Sequence, residues 1–311
     1  MSFTKTVKDE SCRIRHADPN VLLAELSAIA RINGTLYTQS FQEPRIRFTT
    51  SNYSVARRIF FLLKETVKQD PLLLTIQNPS GKRKLLQIAL DDQKATLRLL
   101  QAVGMIQTDG MITARVPSKQ IWGPRRSAAF LRGAFLVAGY IAAPEKAAHL
   151  EIEAQPLMAQ TLVRIFKKFD IDAKLYEKKE TGVYVKDGDA IAMFLRVIET
   201  HQSLLRFEDE RAMKDIRNQI NRRINFETAN LDKTVDASMK QLAIIQQLQE
   251  GHEWERLDPR LRELAYLRLK NPSASLKELG EMMDPPVSKS TVNHRFRKLM
   301  QMADEPTGQD R

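Results

Sequence analysis

The sequence predicts an α+β protein in two parts: a two-repeat domain of strands and helices, then an all-α helix-turn-helix module. Three observations carry that expectation. Two small-residue helices end at glycines 105 positions apart, Gly34 and Gly139. The same strand-then-helix pattern follows each of them. Residues 275–303 then hold two amphipathic helices joined by a proline-bearing turn, the second of them free of acidic residues up to Ala303.

The first repeat opens with NVLLAELSAIARINGTLY from Asn20, an alanine-rich helix ending at Gly34 and a β-prone stretch. RIRFTTSNYSVARRIFFLLKET from Arg45 reads as a strand, then a helix. The second repeat opens with RSAAFLRGAFLVAGYIAA from Arg126 and continues as HLEIEAQPLMAQTLVRIFKKFD from His149. Lys84–Ala89 and Val183–Lys186 read as strands, and Asp91–Val103 and Gly188–Glu199 as helices. Each unit is therefore of αββαββα type. Ala24, Ser27 and Ala28 on one glycine-ended helix, and Gly133, Ala134 and Ala138 on the other, form small-residue faces. Such faces let two backbones approach closely, so the two helices are expected to cross at a pseudo-twofold axis.

In the C-terminal part, Ser275 and Glu278 form a capping box, and Leu276, Leu279 and Met283 share one helical face. Pro285-Pro286 cannot continue that helix. Ser288 caps the next one, whose apolar stripe is Val292, Phe296 and Leu299. Its opposite face carries Lys289, Thr291, Asn293, His294, Arg295, Arg297 and Lys298, a polar and basic surface suited to base edges and phosphates. A preceding helix starts at Asp258-Pro259, is seated by Leu261, Leu264 and Ala265, and ends at Asn271-Pro272. The charged stretch Arg206–Thr234 reads as a helix with Met213, Ile216, Ile220 and Ile224 at helical spacing and a flexible break near Asn225–Asp232. The expected organisation is repeats at 17–105 and 120–203 within a domain of 1–205, a helical linker over 206–235, a DNA-binding domain over 236–305 with its element at 275–303, and a disordered tail at 306–311.

Composition narrows the function. An apolar content of 42% and a charged content of 28% are those of a globular protein, and no apolar run approaches the roughly 20 residues that span a bilayer. The start, MSFTKTVKDESCRIR, lacks the apolar core of a signal peptide. Cys12 stands alone, and the five histidines are far apart, so neither a disulfide nor a zinc site is expected. The cytoplasm is the implied location. The net charge of +11 points to a polyanionic partner. From residue 236 onward bases and acids balance, twelve against twelve, so the excess lies upstream. Ser40–Leu90 alone holds nine bases against three acids, and Lys82, Arg83 and Lys84 are candidate auxiliary phosphate contacts. No phosphate-binding glycine loop is present, since Gly188–Ala190 and Ser80–Lys84 are too short, Ser80-Gly81 reading instead as a hairpin turn with basic flanks, and no G-x-S-x-G or H-E-x-x-H occurs.

LSAIARING and LRGAFLVAG resemble degenerate copies of the LAGLIDADG motif of homing endonucleases. With SLKELGEMMDPPVSKSTVNHRFRKL at the other end, essentially the whole chain resembles the WhiA family of Gram-positive bacterial regulators. The resemblance implies a two-repeat LAGLIDADG-like domain, a helical linker and a helix-turn-helix similar to region 4 of sigma factors. It also implies roles in cell division, chromosome segregation and, in some relatives, sporulation. An active LAGLIDADG enzyme holds divalent metal with one acidic residue per motif helix. Those positions fall on Asn33 and Ala138, and the nearby acids Asp18 and Glu25 lie at the wrong end or in the middle of the helix. An amide is a poor ligand for a hard cation and a methyl group is none, so no cofactor and no catalysis are expected. The expected function is a non-catalytic, nucleoid-associated transcriptional regulator. The alternatives are a site-specific endonuclease and a protein-interaction adaptor. Double-stranded promoter DNA is the expected partner, with RNA polymerase or another regulator as a further one and no membrane. The expected DNA-binding residues are Ser288, then Lys289, Ser290, Thr291, Asn293, His294 and Arg295 toward bases, with Arg297 and Lys298 toward phosphate; Ser288 carries no assignment to base or phosphate.

Overall fold

The computed structural model describes residues 2–37, 44–77, 84–107, 110–177 and 179–304. The chain divides into two compact units, residues 1–214 and 215–311.

In the first unit, α1 (Phe3–Ser11) precedes α2 (Pro19–Asn33), β1 (Thr35–Tyr37), β2 (Arg45–Thr50), α3 (Tyr53–Val67), β3 (Leu72–Gln77), β4 (Lys84–Leu90) and α4 (Gln93–Ala102). The order repeats as α5 (Gly123–Ala138), β5 (Gly139–Ile141), β6 (Leu150–Glu153), α6 (Pro156–Lys167), β7 (Lys174–Glu177), β8 (Thr181–Val185) and α7 (Gly188–Val197). Each repeat forms one antiparallel four-stranded sheet, ordered β1-β2-β4-β3 and β5-β6-β8-β7. Alternation along the strands sets the two faces. Ile46, Phe48 and Ile88 turn inward under α3 in one core; Leu150, Ile152 and Val183 do so under α6 in the other. The hairpin expected at Ser80-Gly81 lies outside the described residues.

α2 and α5 pack lengthwise on each other, as their small residues predict. Val21, Ala24 and Ala129 form a buried cluster between them. A Cβ on Gly133 would run into the Glu25 carbonyl oxygen and sit 3.2 Å from the Ala28 Cβ. Ser27 is used differently: it is buried, with its hydroxyl donating to the Val103 carbonyl at 3.3 Å.

Helix α1 was not foreseen. Its Phe3 and Val7, four residues apart, are buried in the core of the second repeat. Thr4 Oγ1 donates to the Ile141 carbonyl at 2.7 Å and accepts from the Ile141 N–H at 3.1 Å. Glu10 accepts from Gln202 N, Ser203 N and Ser203 Oγ at 2.8, 2.9 and 2.6 Å. A carboxylate from a distant helix thus caps the free N–H groups that start α8 (His201–Glu250).

α8 is continuous over 50 residues, and the flexible break expected near Asn225–Asp232 is absent. The stretch holds neither glycine nor proline, and Arg223 pairs with Glu227 one turn on at 2.9 Å. The apolar spacing that predicted this helix is real but unburied: Met213, Ile216, Ile220 and Ile224 are each about half exposed. No helix among the described residues is long and apolar enough to cross a membrane.

The second unit adds α9 (Pro259–Lys270), α10 (Leu276–Met282) and α11 (Lys289–Asp304). Ile245 and Leu248 of α8 close one core with Leu261, Leu264, Leu279, Val292, Phe296 and Leu299.

Candidate nucleic-acid interface

Two places bear on function: the motif-helix ends in the first unit and α11 in the second.

At the ends of α2 and α5, a cleft of about 420 Å³ is lined by Arg31, Asn33, Ala138, Glu153 and Glu180 among others. The structure brings Asn33 and Ala138 to this one cleft. Asn33 is occupied there: its amide donates to the Thr49 carbonyl at 3.1 Å and accepts the Thr49 N–H at 3.2 Å, tying α2 to β2. Arg31 donates to the carbonyls of Val103, Gly104 and Arg115 at 2.9, 2.9 and 3.1 Å, and burial pulls its guanidinium pKa down to about 10. Both side chains hold backbone in place. Among the described residues, no group of three or more His, Cys, Asp or Glu side chains is placed to hold a metal ion.

The only acidic residue on either motif helix is Glu25, and it is fully buried away from the cleft ends. Arg58 grips it with Nε and Nη2, both at 2.7 Å, and Arg132 Nε donates to it at 3.1 Å. Arg58 also donates to the Ile14 carbonyl at 2.6 Å. Burial alone would push the Glu25 carboxyl up; Arg132 and Arg58 outweigh it and hold the group below the usual carboxylate range. Sequence reading placed Glu25 in the middle of the helix but did not anticipate its two arginines.

In the second unit, the capping box at Ser275 and Glu278 forms in both directions, at 3.3 and 2.7 Å. Asp258 caps α9 through the Arg260 N–H at 2.8 Å. The turn after α10 folds back tightly. Val287 N donates to the Gly280 carbonyl at 2.9 Å, and a Cβ on Gly280 would meet the Val287 carbonyl oxygen. Glycine is therefore required where α10 meets the turn.

On α11 the apolar stripe is buried, and Ser288, Lys289, Ser290, Asn293, His294, Arg297 and Lys298 are exposed. Two expected contacts are partly engaged within the chain. Thr291 is half-buried; its N–H donates to Ser288 Oγ at 3.2 Å, and its hydroxyl lies 2.9 Å from that oxygen. Arg295 is half-buried and donates to Met283 Sδ at 3.1 Å, so it also packs α11 onto α10. Lys84 is exposed at the start of β4, whereas Lys82 and Arg83 lie outside the described residues.

Arg268 was missed altogether. It is buried, with Nη1 donating to the carbonyls of Ala274, Pro272 and Asn271 at 2.5, 3.2 and 3.4 Å and its guanidinium 5.6 Å from the Phe296 ring centre. Its position was the signal: it falls on the same helical face as Leu261, Leu264 and Ala265.

These features define a class: a degenerate two-repeat LAGLIDADG-like domain joined to a helix-turn-helix domain. Family models match along the chain: the WhiA N-terminal LAGLIDADG-like domain at 19–106, the WhiA LAGLIDADG-like domain at 127–217 and the WhiA C-terminal HTH domain at 220–303. A probable cell division protein WhiA of Clostridium novyi (strain NT) is 37% identical over 311 residues, covering 98% of both chains. One of Desulfitobacterium hafniense (strain DCB-2) is 39% identical over 307 residues, covering 98% of this chain and 96% of the relative. The crystal structure of full-length DUF199/WhiA from Thermatoga maritima covers all of both chains, with a TM-score of 0.60 at 22% identity, and shares the fold. The chain belongs to the WhiA family.

Proposed function

We propose that the chain is a non-catalytic, sequence-specific DNA-binding transcriptional regulator of cell division. On this reading it also acts in chromosome segregation, and in sporulation in relatives that sporulate. Promoter DNA is its partner, RNA polymerase or another regulator a further one, and its place is the cytoplasm, on the nucleoid. The observation that carries the reading is the exposed face of α11, which holds no acid from Lys289 to Ala303. A buried stripe seats that helix while an amide, an imidazole and three cations face outward, the groups that read base edges and neutralise phosphates. The name shared by the relatives, probable cell division protein, supports the process. Asn33 and Ala138 at the motif ends support the absence of phosphodiester cleavage, because neither supplies a carboxylate. We assign base reading to Lys289, Ser290, Asn293 and His294, with Thr291 and Arg295 dividing their roles between DNA and the fold.

The test is a pair of binding series in the full chain. Asn293→Ala should weaken binding to the specific duplex by about 1–3 kcal/mol and spare unrelated DNA, as loss of one bidentate base contact does. Arg297→Ala or Lys298→Ala should instead weaken all duplexes alike, and each should flatten the log K versus log salt slope by about 0.9. Normal operator affinity for Asn293→Ala would show that α11 does not read bases through this residue.

A further inference from the structure

The two sheets of the first unit present outer faces of opposite chemistry at matched register positions. Thr35 pairs with Arg47 and Arg47 with Ala89 in the first sheet; Tyr140 pairs with Glu151 and Glu151 with Tyr184 in the second. Glu151 thus stands where Arg47 does. By the same register Glu153 stands in the place of Thr49 and Tyr176 in that of Leu74. The first face carries Arg45 and Arg47, the latter 4.8 Å from the Tyr37 ring centre. Among its described residues the second carries no arginine, its cations being Lys174, opposite Tyr184, and Lys186.

Aromatic rings cross the second sheet strand by strand. Tyr140 and His149 lie 6.3 Å apart, His149 and Tyr184 6.5 Å, and Tyr184 and Tyr176 6.4 Å. Tyr176 lies across Gly182, where any Cβ would meet its ring. His149 sits 3.0 Å from Glu151, and Glu153 and Glu180 meet at the edge. Burial, then Glu180 and Glu151, push the Glu153 carboxyl up; burial, then Glu151, Glu153 and Glu180, push the Tyr176 phenol up. Both groups titrate in a negative local field. The three carboxylates Glu151, Glu153 and Glu180 outnumber the two ammonium groups, Lys174 and Lys186, and so disfavour a polyphosphate backbone, whereas guanidinium and ammonium groups gain both carboxylate pairing and ring-face contact. Lys186 already places its ammonium 5.2 Å from the Tyr184 ring centre.

We propose that the outer face of the second sheet, from Tyr140 and Glu151 to Tyr176 and Glu180, docks an arginine- or lysine-bearing segment of a partner protein, and that nucleic acid stays off it. Charge complementarity and the ring row select that occupant. This reading is independent of what α11 binds.

The experiment uses the full chain and a labelled peptide of alternating arginine and glycine, followed by fluorescence anisotropy at about 0.15 M salt, where exposed long-range attraction is screened. Wild type should bind saturably. Glu153→Gln with Glu180→Gln should weaken binding tenfold or more, and so should Tyr140→Leu with Tyr184→Leu, which leaves the charge untouched. Arg47→Gln on the first sheet should leave it unchanged. No saturable binding, or binding indifferent to both pairs, overturns the proposal. Hydrogen exchange on wild type keeps the test decisive if a variant misfolds. The peptide should protect residues 149–153 and 174–177, and protection of these strands by duplex DNA instead would overturn the proposal.

Discussion

Replacing Glu25 with glutamine should lower the stability of residues 1–214 by about 3–5 kcal/mol, the range for breaking a buried ion pair from one side. The variant keeps the side-chain volume but removes the carboxylate that Arg58 and Arg132 share between α2, α3 and α5, with Arg132 still 3.9 Å from the half-exposed Glu199. The loss carries a pH signature. The folded carboxyl lies below its usual range, so its contribution is complete above the unfolded value of about 4.3 and is lost as pH falls through the lower folded value. Urea unfolding followed by circular dichroism should therefore show the full gap between wild type and Glu25→Gln at neutral pH, and a narrowing gap only below about pH 4. A gap under about 1 kcal/mol at neutral pH, or one that widens in acid, would show that the two arginines do not depend on this carboxylate.

The second large effect is expected at Arg268. Its guanidinium supplies one charged donor to three carbonyls of the α9–α10 connection and covers the Phe296 ring. Arg268→Ala removes those bonds and leaves a cavity against the buried face of α11. A loss of about 2–4 kcal/mol follows from charge-assisted bonds to part-buried acceptors together with the ring contact. Arg268→Lys should recover only part of it, because an ammonium does not reproduce the planar fork. The diagnostic is that DNA affinity should fall for every sequence in step with the folded fraction. An Arg268→Ala variant that melts like wild type would contradict this role.

Glu25, Arg58 and Arg268 mark where the sequence was legible and where it was not. Periodicity located α2, α3 and α9, and the paired glycines Gly34 and Gly139 revealed the repeat. Binary patterning treats a charge on a helix as solvated, so it overlooked Arg58, three residues after Val55, and Arg268, three after Ala265. What makes Arg58 tolerable is a partner distant in sequence, Glu25, which no local rule supplies; Arg268 instead bonds to carbonyls just past the end of its own helix, in a turn that helical periodicity does not describe. The same limit hid α1: Phe3 and Val7 become core only because the second repeat offers them a cavity. The opposite error occurred in α8, where polar residues near Asn225–Asp232 suggested a break although no glycine or proline was there to make one. On α11, capping chemistry and the Val292–Phe296–Leu299 stripe were read directly. The half-burial of Arg295 was not, because it depends on how the proline turn brings α11 back against Met283 at the end of α10.

A gel-shift of the full chain on promoter duplex, run in Mg²⁺ and in EDTA and read afterwards on a denaturing gel, separates DNA binding from DNA cleavage. The same shifted complex is expected in both buffers, with intact DNA strands in both. Strands cut only in Mg²⁺, or a complex that forms only with the metal, would contradict a non-catalytic DNA-binding role.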